Sequence, residues 1–267
     1  MHSPGSTTRG PQSLNRTDFV QSLARGLEVM TAFTIERPRM SVSEVAAQTG
    51  QSRATARRLL LTLQALGYVR SHDRLFELAP RVLDLGYAYL TSQSIAEVAA
   101  PHIETLVSRT GEPASVAVLD EDEIVFVLRV PSRRVMRVAL SVGSRLPVSA
   151  SATGRVLLGG QPEEEAERIL ATARMPALTP RTTTDVDELR TQIRQARRDG
   201  FAIVDQQLEL GVASAAVPVV GRDGTAVAAI ATSISLARVT MAQLRKQIMP
   251  AMQDAAALVS EDLRRRH

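Results

Sequence analysis

The sequence predicts an α+β protein of two domains, a small helical domain followed by a larger domain built on a sheet. Three observations predict this class. The chain has 267 residues, 44% of them hydrophobic and 22% charged, which suits two ordinary globular cores. Short helical patterns that end at glycines fill the first third of the chain. Apolar runs rich in β-branched residues follow in the remaining two thirds, separated by turn residues.

Charge and composition narrow the function classes. The whole net charge of +4 lies in residues 1–92, which hold 11 Arg and 7 acidic residues, whereas residues 93–267 hold 21 residues of each sign. A basic first third favours a polyphosphate partner. The chain has no cysteine and its four histidines are scattered, so the sequence predicts no metal and no cofactor. No bilayer-spanning run or secretion signal is evident, so we expect a cytoplasmic protein without membrane association.

The first helix is predicted to begin near Asp18 and to end before Pro38. Residues 1–17 before it are rich in Ser, Gly, Pro and Thr, which predicts a flexible arm. Apolar residues at spacings of three and four predict a single buried helix face. This face consists of Phe19, Leu23, Leu27, Met30 and Phe33.

The stretch SVSEVAAQTGQSRATARRLLLTLQALGYV predicts two helices in close succession. Ser41 and Glu44 have the spacing of a capping box, and Gly50 supplies the left-handed residue that ends the first helix. Ser52 can cap the second helix, which we expect to run to about Leu66.

The segment YVRSHDRLFELAP then predicts a small hairpin around a His-Asp-Arg turn. Helix, helix, turn, helix and hairpin follow in the order of a winged helix-turn-helix. We therefore assign residues 18–79 to a winged helix-turn-helix domain. Residues 80–94 begin with a proline and predict a linker helix.

Residues 95–267 predict a sheet domain of about six strands, mainly antiparallel, with helices before, between and after them. Helices are expected from about Ile95, from Pro162, from Asp185 and from Met241, and the irregular loop VGSRLPVSASATG is expected to lead into another. The predicted strands are SVAVLD, EIVFVLRV, VMRVALSV, FAIVD, VASAAVPVVG and TAVAAIATSIS.

The exposed side of the third helix carries the residues expected to contact DNA. Arg57 and Arg58 lie opposite its apolar side, and Arg53 lies at its N-terminal end. Recognition helices contact bases mainly near their N-termini, and arginine can bind guanine with two hydrogen bonds. A merely solvated helix face is the alternative interpretation. With the hairpin, the predicted DNA contacts are Ser52, Arg53, Thr55, Arg57, Arg58, Arg70, His72 and Arg74.

Nearly the whole chain resembles the IclR family of bacterial transcription regulators. The resemblance implies a winged helix-turn-helix, a linker helix and a GAF- or profilin-like domain that binds a small effector. It also implies homodimers or tetramers on operator DNA. The stretch FELAPRVLDLGYAYLTS is similar to the branch that controls aromatic-acid catabolism through the β-ketoadipate route, which implies a carboxylate effector, an aromatic acid or its ring-opened product. The family resemblance rests on FVQSLARGLEVMTAF, SRATARRLLLTLQALGYV, VGSRLPVSASATGRVLLGG, and GFAIVDQQLELGVASAAVPV followed by AVAAIATSIS.

The resemblance also implies where the effector binds. The loop at residues 143–154 leads into a helix start, where backbone N–H groups and the helix dipole attract carboxylates. Arg145 and Glu209 are expected to contribute in second place. The alternative interpretation is structural, because such hydroxyls often cap helices and such carboxylates often close turns. By motif, the expected effector contacts are Ala152, Thr153, Asp205, Ser214 and Ser233.

An enzyme and a purely architectural DNA-binding protein are the alternatives from other classes. The loop with Ser149 and Ser151 lacks the G-x-S-x-G pattern, and no histidine lies in residues 103–266. These absences weigh against an enzyme. An architectural protein would leave the sheet domain without a task. A small-molecule screen separates the three classes, because a regulator binds its ligand without turnover, an enzyme consumes it and a scaffold does neither.

Overall fold

The structure is a computed structural model, and it describes residues 19–86, 95–132 and 140–266. The chain divides into two compact units, with the boundary between residues 89 and 90. They are called the N-terminal unit and the C-terminal unit. The predicted arm, residues 1–17, lies outside the described residues. Of the predicted linker helix, residues 82–86 are helical and residues 87–94 lie outside the described part.

The N-terminal unit is a winged helix-turn-helix, as the sequence predicts. Its helices are α1 (Gln21–Thr31), α2 (Val42–Thr49) and α3 (Arg53–Ala65). The strands β1 (Val69–His72) and β2 (Leu75–Leu78) pair in antiparallel fashion and form the wing.

Local capping explains why α2 stops and α3 begins so soon afterwards. The Ser41 N–H donates to Glu44 Oε2 at 2.7 Å, and Ser41 Oγ accepts from the Glu44 N–H at 3.4 Å, which completes the capping box of α2. Gly50 ends the helix with a φ of 65°. Ser52 Oγ then accepts from the Thr55 N–H at 3.2 Å and caps α3.

The first helix differs from its prediction. It begins at Gln21 and ends at Thr31, and Val29 is its buried residue. Leu23 and Leu27, assigned to the buried face, are 63% and 48% exposed. The periodicity identified an apolar face correctly, but in the described part of the chain only the end of α1 packs into the core.

The C-terminal unit contains the predicted six-stranded sheet, in which every neighbouring pair is antiparallel. The strand order is β5-β4-β3-β8-β7-β6. The strands are β3 (Ala114–Asp120), β4 (Glu123–Val130), β5 (Arg145–Pro147), β6 (Ala202–Asp205), β7 (Val212–Val220) and β8 (Ala226–Ser235).

The third described strand of this sheet lies outside the segments predicted to be strands. Most of the predicted strand VMRVALSV lies outside the described residues, and residues 140–142 are not assigned to a strand. The described strand β5 lies in the segment predicted to be an irregular loop. It pairs with β4, and Arg145 binds carboxylates of Asp120 and Glu123 at 2.5 and 2.6 Å. A three-residue strand is too short for alternation to reveal it.

Helices cover both faces of the sheet. α4 and α9 pack on one face, and α5, α6 and α7 pack on the other. No helix in the described residues is long and apolar enough to cross a membrane. The helices are α4 (Ile95–Thr110), α5 (Ala152–Gly159), α6 (Glu163–Leu170), α7 (Val186–Asp199), α8 (Met241–Gln243) and α9 (Met249–Arg266), and a π-helical segment (Leu244–Ile248) joins the last two.

Candidate functional site

One face of α3 is buried in the N-terminal unit, and the opposite face is cationic. Ala56 and Leu60 are fully buried, whereas Arg53, Arg57 and Arg58 are exposed. In the described part of the chain, none of these three guanidinium groups has a hydrogen-bond or ion-pair partner. Their donors are therefore free to bind phosphates or base edges.

The predicted wing residues lie in a different environment. Glu77 Oε1 accepts from Arg70 Nε at 2.5 Å, and Glu77 Oε2 accepts from Arg39 Nε at 2.6 Å. These two hydrogen bonds, that of Arg39 first, lower the pKa of Glu77. His72 and Arg74 lie exposed at the tip of the hairpin. The wing thus presents Arg70 as a clamped cation, unlike the arginines of α3.

A recess opens in the C-terminal unit beside the loop that precedes α5. It encloses about 580 Å³ of space, which includes open solvent at its mouth. Hydroxyl groups and apolar side chains alternate along its walls. The lining residues are Pro113, Ser115, Phe126, Arg129, Leu140, Leu146, Ser151, Thr153, Leu208, Val212, Ser214, Ala231, Thr232 and Ser233.

The loop wall of the recess is fixed by a tight turn into α5. Ser151 caps this helix, since its Oγ accepts from the Gly154 N–H at 2.9 Å. A Cβ on residue 154 would lie 2.2 Å from the carbonyl oxygen of Val148, so only glycine fits there. The turn holds the buried Thr153 side chain against the recess.

A buried arginine ties this loop to neighbouring segments. Arg155 donates from Nη1 to Ser151 O at 3.0 Å, from Nε to Gln192 Oε1 at 2.7 Å and from Nη2 to Gln207 Oε1 at 2.7 Å. Burial lowers the pKa of Arg155 to about 10, and the charge of Glu188 opposes this shift. The guanidinium therefore stays charged at neutral pH. It joins the loop to α7 and to Gln207, which precedes the lining residue Leu208.

The structure brings three of the five predicted effector residues to the recess. Thr153, Ser214 and Ser233 line it, and the last two are paired across β7 and β8. Ala152 is buried in the core beside the recess and Asp205 points elsewhere, and neither is among the lining residues. The secondary candidates Arg145 and Glu209 are also not among them.

The placement of Asp205 follows from its partners. Its Oδ2 accepts from Arg181 Nη1 at 2.6 Å, and its Oδ1 accepts from Gln206 Nε2 at 3.2 Å. Its charge is thus compensated at the end of β6. An uncompensated carboxylate at this position would repel an anionic ligand, and the pairing with Arg181 reduces that repulsion.

Sequence reasoning missed the cation of the recess, Arg129. It lies in β4 opposite Ser115 of β3, and both residues line the recess. Burial lowers the pKa of the half-buried Arg129 guanidinium. A β-bulge at Val127 turns this side chain toward the recess, and no feature of the apolar run EIVFVLRV indicates the bulge.

These two units define a class of protein. A winged helix-turn-helix with free arginines on its recognition helix is built for double-stranded DNA. A separate domain carries a recess whose described lining residues include a partly buried arginine, hydroxyl groups and apolar side chains, a combination typical of ligand sites. One chain that contains both is a transcription regulator that carries its own sensor domain.

The family follows from comparison with known proteins. The model of the IclR helix-turn-helix domain matches residues 22–73, and the model of the bacterial transcriptional regulator IclR C-terminal domain matches residues 87–261. The chain belongs to the IclR family of bacterial transcriptional regulators. It is therefore a regulator of transcription and not an enzyme.

The chain is similar over most of its length to two named regulators and to a solved structure. The chain is 38% identical to the Pca regulon regulatory protein of Pseudomonas putida over 87% of this chain and 80% of that protein. It is 34% identical to the p-hydroxybenzoate hydroxylase transcriptional activator of Acinetobacter baylyi over 92% of each chain. An IclR homolog from Microbacterium hydrocarbonoxydans, solved in complex with 4-hydroxybenzoate, matches 91% of this chain and 99% of its own at 26% identity and a TM-score of 0.80.

Proposed function

We propose that this regulator binds operator DNA through α3 and that an aromatic carboxylic acid or its ring-opened product controls it from the recess. The observation that carries the proposal is the composition of the recess. Its described lining residues combine one cation, several hydroxyl groups and apolar side chains, which suits a small acid with an apolar body. The similarity to the Pca regulon regulatory protein and to the p-hydroxybenzoate hydroxylase transcriptional activator supports the same ligand class.

Operator binding is assigned to the exposed arginines of α3, with Ser52 and Thr55 at the start of the helix and the wing on the DNA backbone. Arg53, Arg57 and Arg58 have free donors for guanine or phosphate. One recognition helix covers a half-site, so we propose that the protein acts as a homodimer or tetramer on a repeated or palindromic operator. The genomic DNA that it reads places it in the cytoplasm.

Control by the effector is proposed to be a shift between two populations of the regulator. The acid stabilises one arrangement of the residue 143–154 loop against the facing strands β7 and β8. The linker at residues 80–94 passes this preference to the helix-turn-helix domain. The ligand shifts the equilibrium only by the ratio of its affinities for the two states.

The test is fluorescence anisotropy of the full-length protein on the DNA upstream of its own gene. The titration is run at two salt concentrations, alone and with 4-hydroxybenzoate, benzoate or cis,cis-muconate, a ring-opened dicarboxylate. We expect salt-sensitive specific binding, and one of the acids should change the operator affinity. Specific binding that ignores every acid would contradict the effector class and keep the DNA assignment.

A further inference from the structure

We propose that Arg129 makes the regulator selective for a carboxylate, which it binds at one end of the recess, while Ser214 and Ser233 bind a second polar group at the other end. This inference rests on the proposed function and deepens it, because it assigns the two ends of the effector. The sequence motifs indicate the two serines but not Arg129.

The backbone of β4 aims Arg129 into the recess. Val116 pairs with Leu128, but the next residue, Ala117, pairs with Phe126, so Val127 is an extra residue in β4. Side chains alternate along a strand, and one extra residue reverses the alternation beyond it. Ile124 and Phe126 pack toward α5, and the bulge then places Arg129 on that same face, where it lines the recess.

Arg129 differs from Arg155, Arg145 and Arg238 of this unit in having no partner within the described residues. Arg155 has three hydrogen bonds, and Arg145 binds two carboxylates. Arg238 binds the buried Glu112. Within the described residues Arg129 has no hydrogen bond and no ion pair, although burial already lowers its pKa. A half-buried cation without a partner is unfavourable, and an anion entering the recess would relieve that cost.

The charge balance of the recess points to an anion as well. No carboxylate is among its described lining residues. Asp205, an acid expected from the sequence to contact the effector, forms an ion pair with Arg181 that compensates its charge. A carboxylate would therefore meet a single planar donor group, with which it can form two parallel hydrogen bonds.

The register of the sheet sets the distance between the two ends. Arg129 of β4 lies opposite Ser115 of β3, whereas Ser214 of β7 lies opposite Ser233 of β8. β4 and β7 are three strands apart in the sheet order, roughly 14 Å at about 4.8 Å per strand. The arginine side chain spans part of this distance. A short rigid acid with a second polar group spans the rest.

Apolar side chains also contribute to the lining of the recess. Phe126, Leu146 and Leu208 line the recess together with the polar groups. An aromatic ring or a conjugated chain can pack against such side chains, while its polar ends reach Arg129 and the serine pair. A purely apolar ligand would leave the cation unpaired.

The experiment is a calorimetric comparison of matched ligands and matched variants in the full-length protein. The ligands are 4-hydroxybenzoate and 4-hydroxybenzamide, which differ in the charge of one group, with benzoate and cis,cis-muconate as further carboxylates. The variants are Arg129→Gln and Arg129→Lys. The control is Arg245→Gln, which removes an exposed cation of the same unit that has no hydrogen-bond or ion-pair partner in the described part of the chain and is not among the lining residues of the recess.

The wild type should bind the carboxylate at least about 10-fold more tightly than the carboxamide, the ratio expected for a charge-assisted pair. Arg129→Gln should lose about 10- to 100-fold in carboxylate affinity and little in carboxamide affinity. Arg129→Lys should fall between them, because it keeps the charge and loses the planar fork. Arg245→Gln should match the wild type.

The outcomes separate the inference from the proposed function. Wild-type binding to none of the carboxylates would overturn both. Equal carboxylate affinity in the wild type and Arg129→Gln would overturn the role of Arg129 and keep the acid-controlled regulator. If the melting temperature shows that Arg129→Gln is unfolded, two other measurements test the inference. They are the ratio of carboxylate to carboxamide affinity in the wild type and the carboxylate affinity of Arg129→Lys. A wild type that prefers the carboxamide overturns the inference.

Discussion

Arg57 and Arg58 are exposed, unpaired and placed on the free side of α3, so their removal tests the DNA assignment at the scale of single residues. We expect Arg57→Ala and Arg58→Ala each to weaken operator binding about 10-fold or more, because a base contact by arginine contributes about 1–3 kcal/mol. Fluorescence anisotropy on the operator measures the loss.

Two controls make this result specific. Arg245→Ala removes an equal charge from an exposed part of the C-terminal unit and should leave operator affinity within about twofold, apart from weak screening effects. Ligand binding by calorimetry should be unchanged in both α3 variants, since the recess lies in the other unit. Operator affinity unchanged in both α3 variants would refute the assignment of the recognition helix.

Gly154 and Gly26 should respond in opposite ways to substitution by alanine. At residue 154 an added Cβ would lie 2.2 Å from the backbone of Val148, whereas at residue 26, inside α1, it would meet nothing within 4 Å. Gly154→Ala should lower the free energy of unfolding by about 2–3 kcal/mol. Gly26→Ala should raise it by about 0.5–1 kcal/mol.

Urea unfolding followed by circular dichroism measures both values. The matched pair distinguishes a steric effect from a general effect of alanine, because only the environment differs. A Gly154→Ala protein as stable as the wild type would mean that the loop wall can move, and that the turn does not fix Thr153 against the recess.

At this scale the sequence predicted side chains whose role depends on local spacing and missed those whose role depends on long-range pairing. Ser41, Glu44 and Ser52 cap helices as expected, since each partner lies three residues away. Arg129 was missed because its direction depends on a bulge in β4 that only the register with β3 reveals. The ion pair of Asp205 was not predicted, because its partner, Arg181, lies 24 residues away.

At the scale of elements, Glu77 clamps the wing to the segment before α2. It accepts hydrogen bonds from Arg39 and from Arg70, which lower its pKa below the ordinary value of 4.5. A depressed carboxyl pKa contributes stability that is present above about pH 4.5 and is lost as the pH falls through the lower, folded-state pKa. Glu77→Gln should therefore be less stable than the wild type at pH 7, and the difference should shrink below pH 4.5.

Urea midpoints of both proteins from pH 3 to pH 7 give this difference directly. The variant should also bind nonspecific DNA more tightly, because Arg70 is released and one negative charge is removed from the wing. Glu165→Gln is the control for DNA binding. Glu165 also has a lowered pKa, but it binds Arg168 in the other unit, so its removal should leave the wing unchanged. A stability difference that is constant with pH would refute the clamp.

Element type was easier to predict than element burial. The helix-turn-helix and five of the six strands follow from caps, glycines and apolar runs. The strand β5 was not predicted, because three residues are too few to show a periodicity. Its strand structure depends on its pairing with β4. Leu23 and Leu27 have the right spacing for a core face, but spacing does not tell which turns of a helix are covered.

At the scale of the whole molecule, the separation of charge between the units agrees with the division of tasks. The net charge of +4 belongs to residues 1–92, whereas the remaining residues are balanced. Operator affinity should therefore fall steeply with salt, while ligand affinity depends on salt only through one local pair at Arg129. The proposed function requires that these two binding events be coupled.

Blocking the recess tests that coupling. Thr153 is buried at the start of α5 and lines the recess, so Thr153→Trp should fill the site and remove the response to the effector. Basal operator affinity should stay within about threefold of wild type, because α3 and the wing are untouched. Anisotropy on the operator, with and without the acid that wild type recognises, measures both quantities in one titration.

The matched control is Thr191→Trp, which adds the same side chain to an exposed position of α7 outside the recess. It should keep the full response. Because coupling between sites is reciprocal, operator DNA should also change the affinity of the wild type for the acid by the factor by which the acid changes operator affinity. Thr153→Trp should abolish both effects together. A fully responsive Thr153→Trp protein would place the effector elsewhere, and loss of operator binding without ligand would show that the substitution acts through folding.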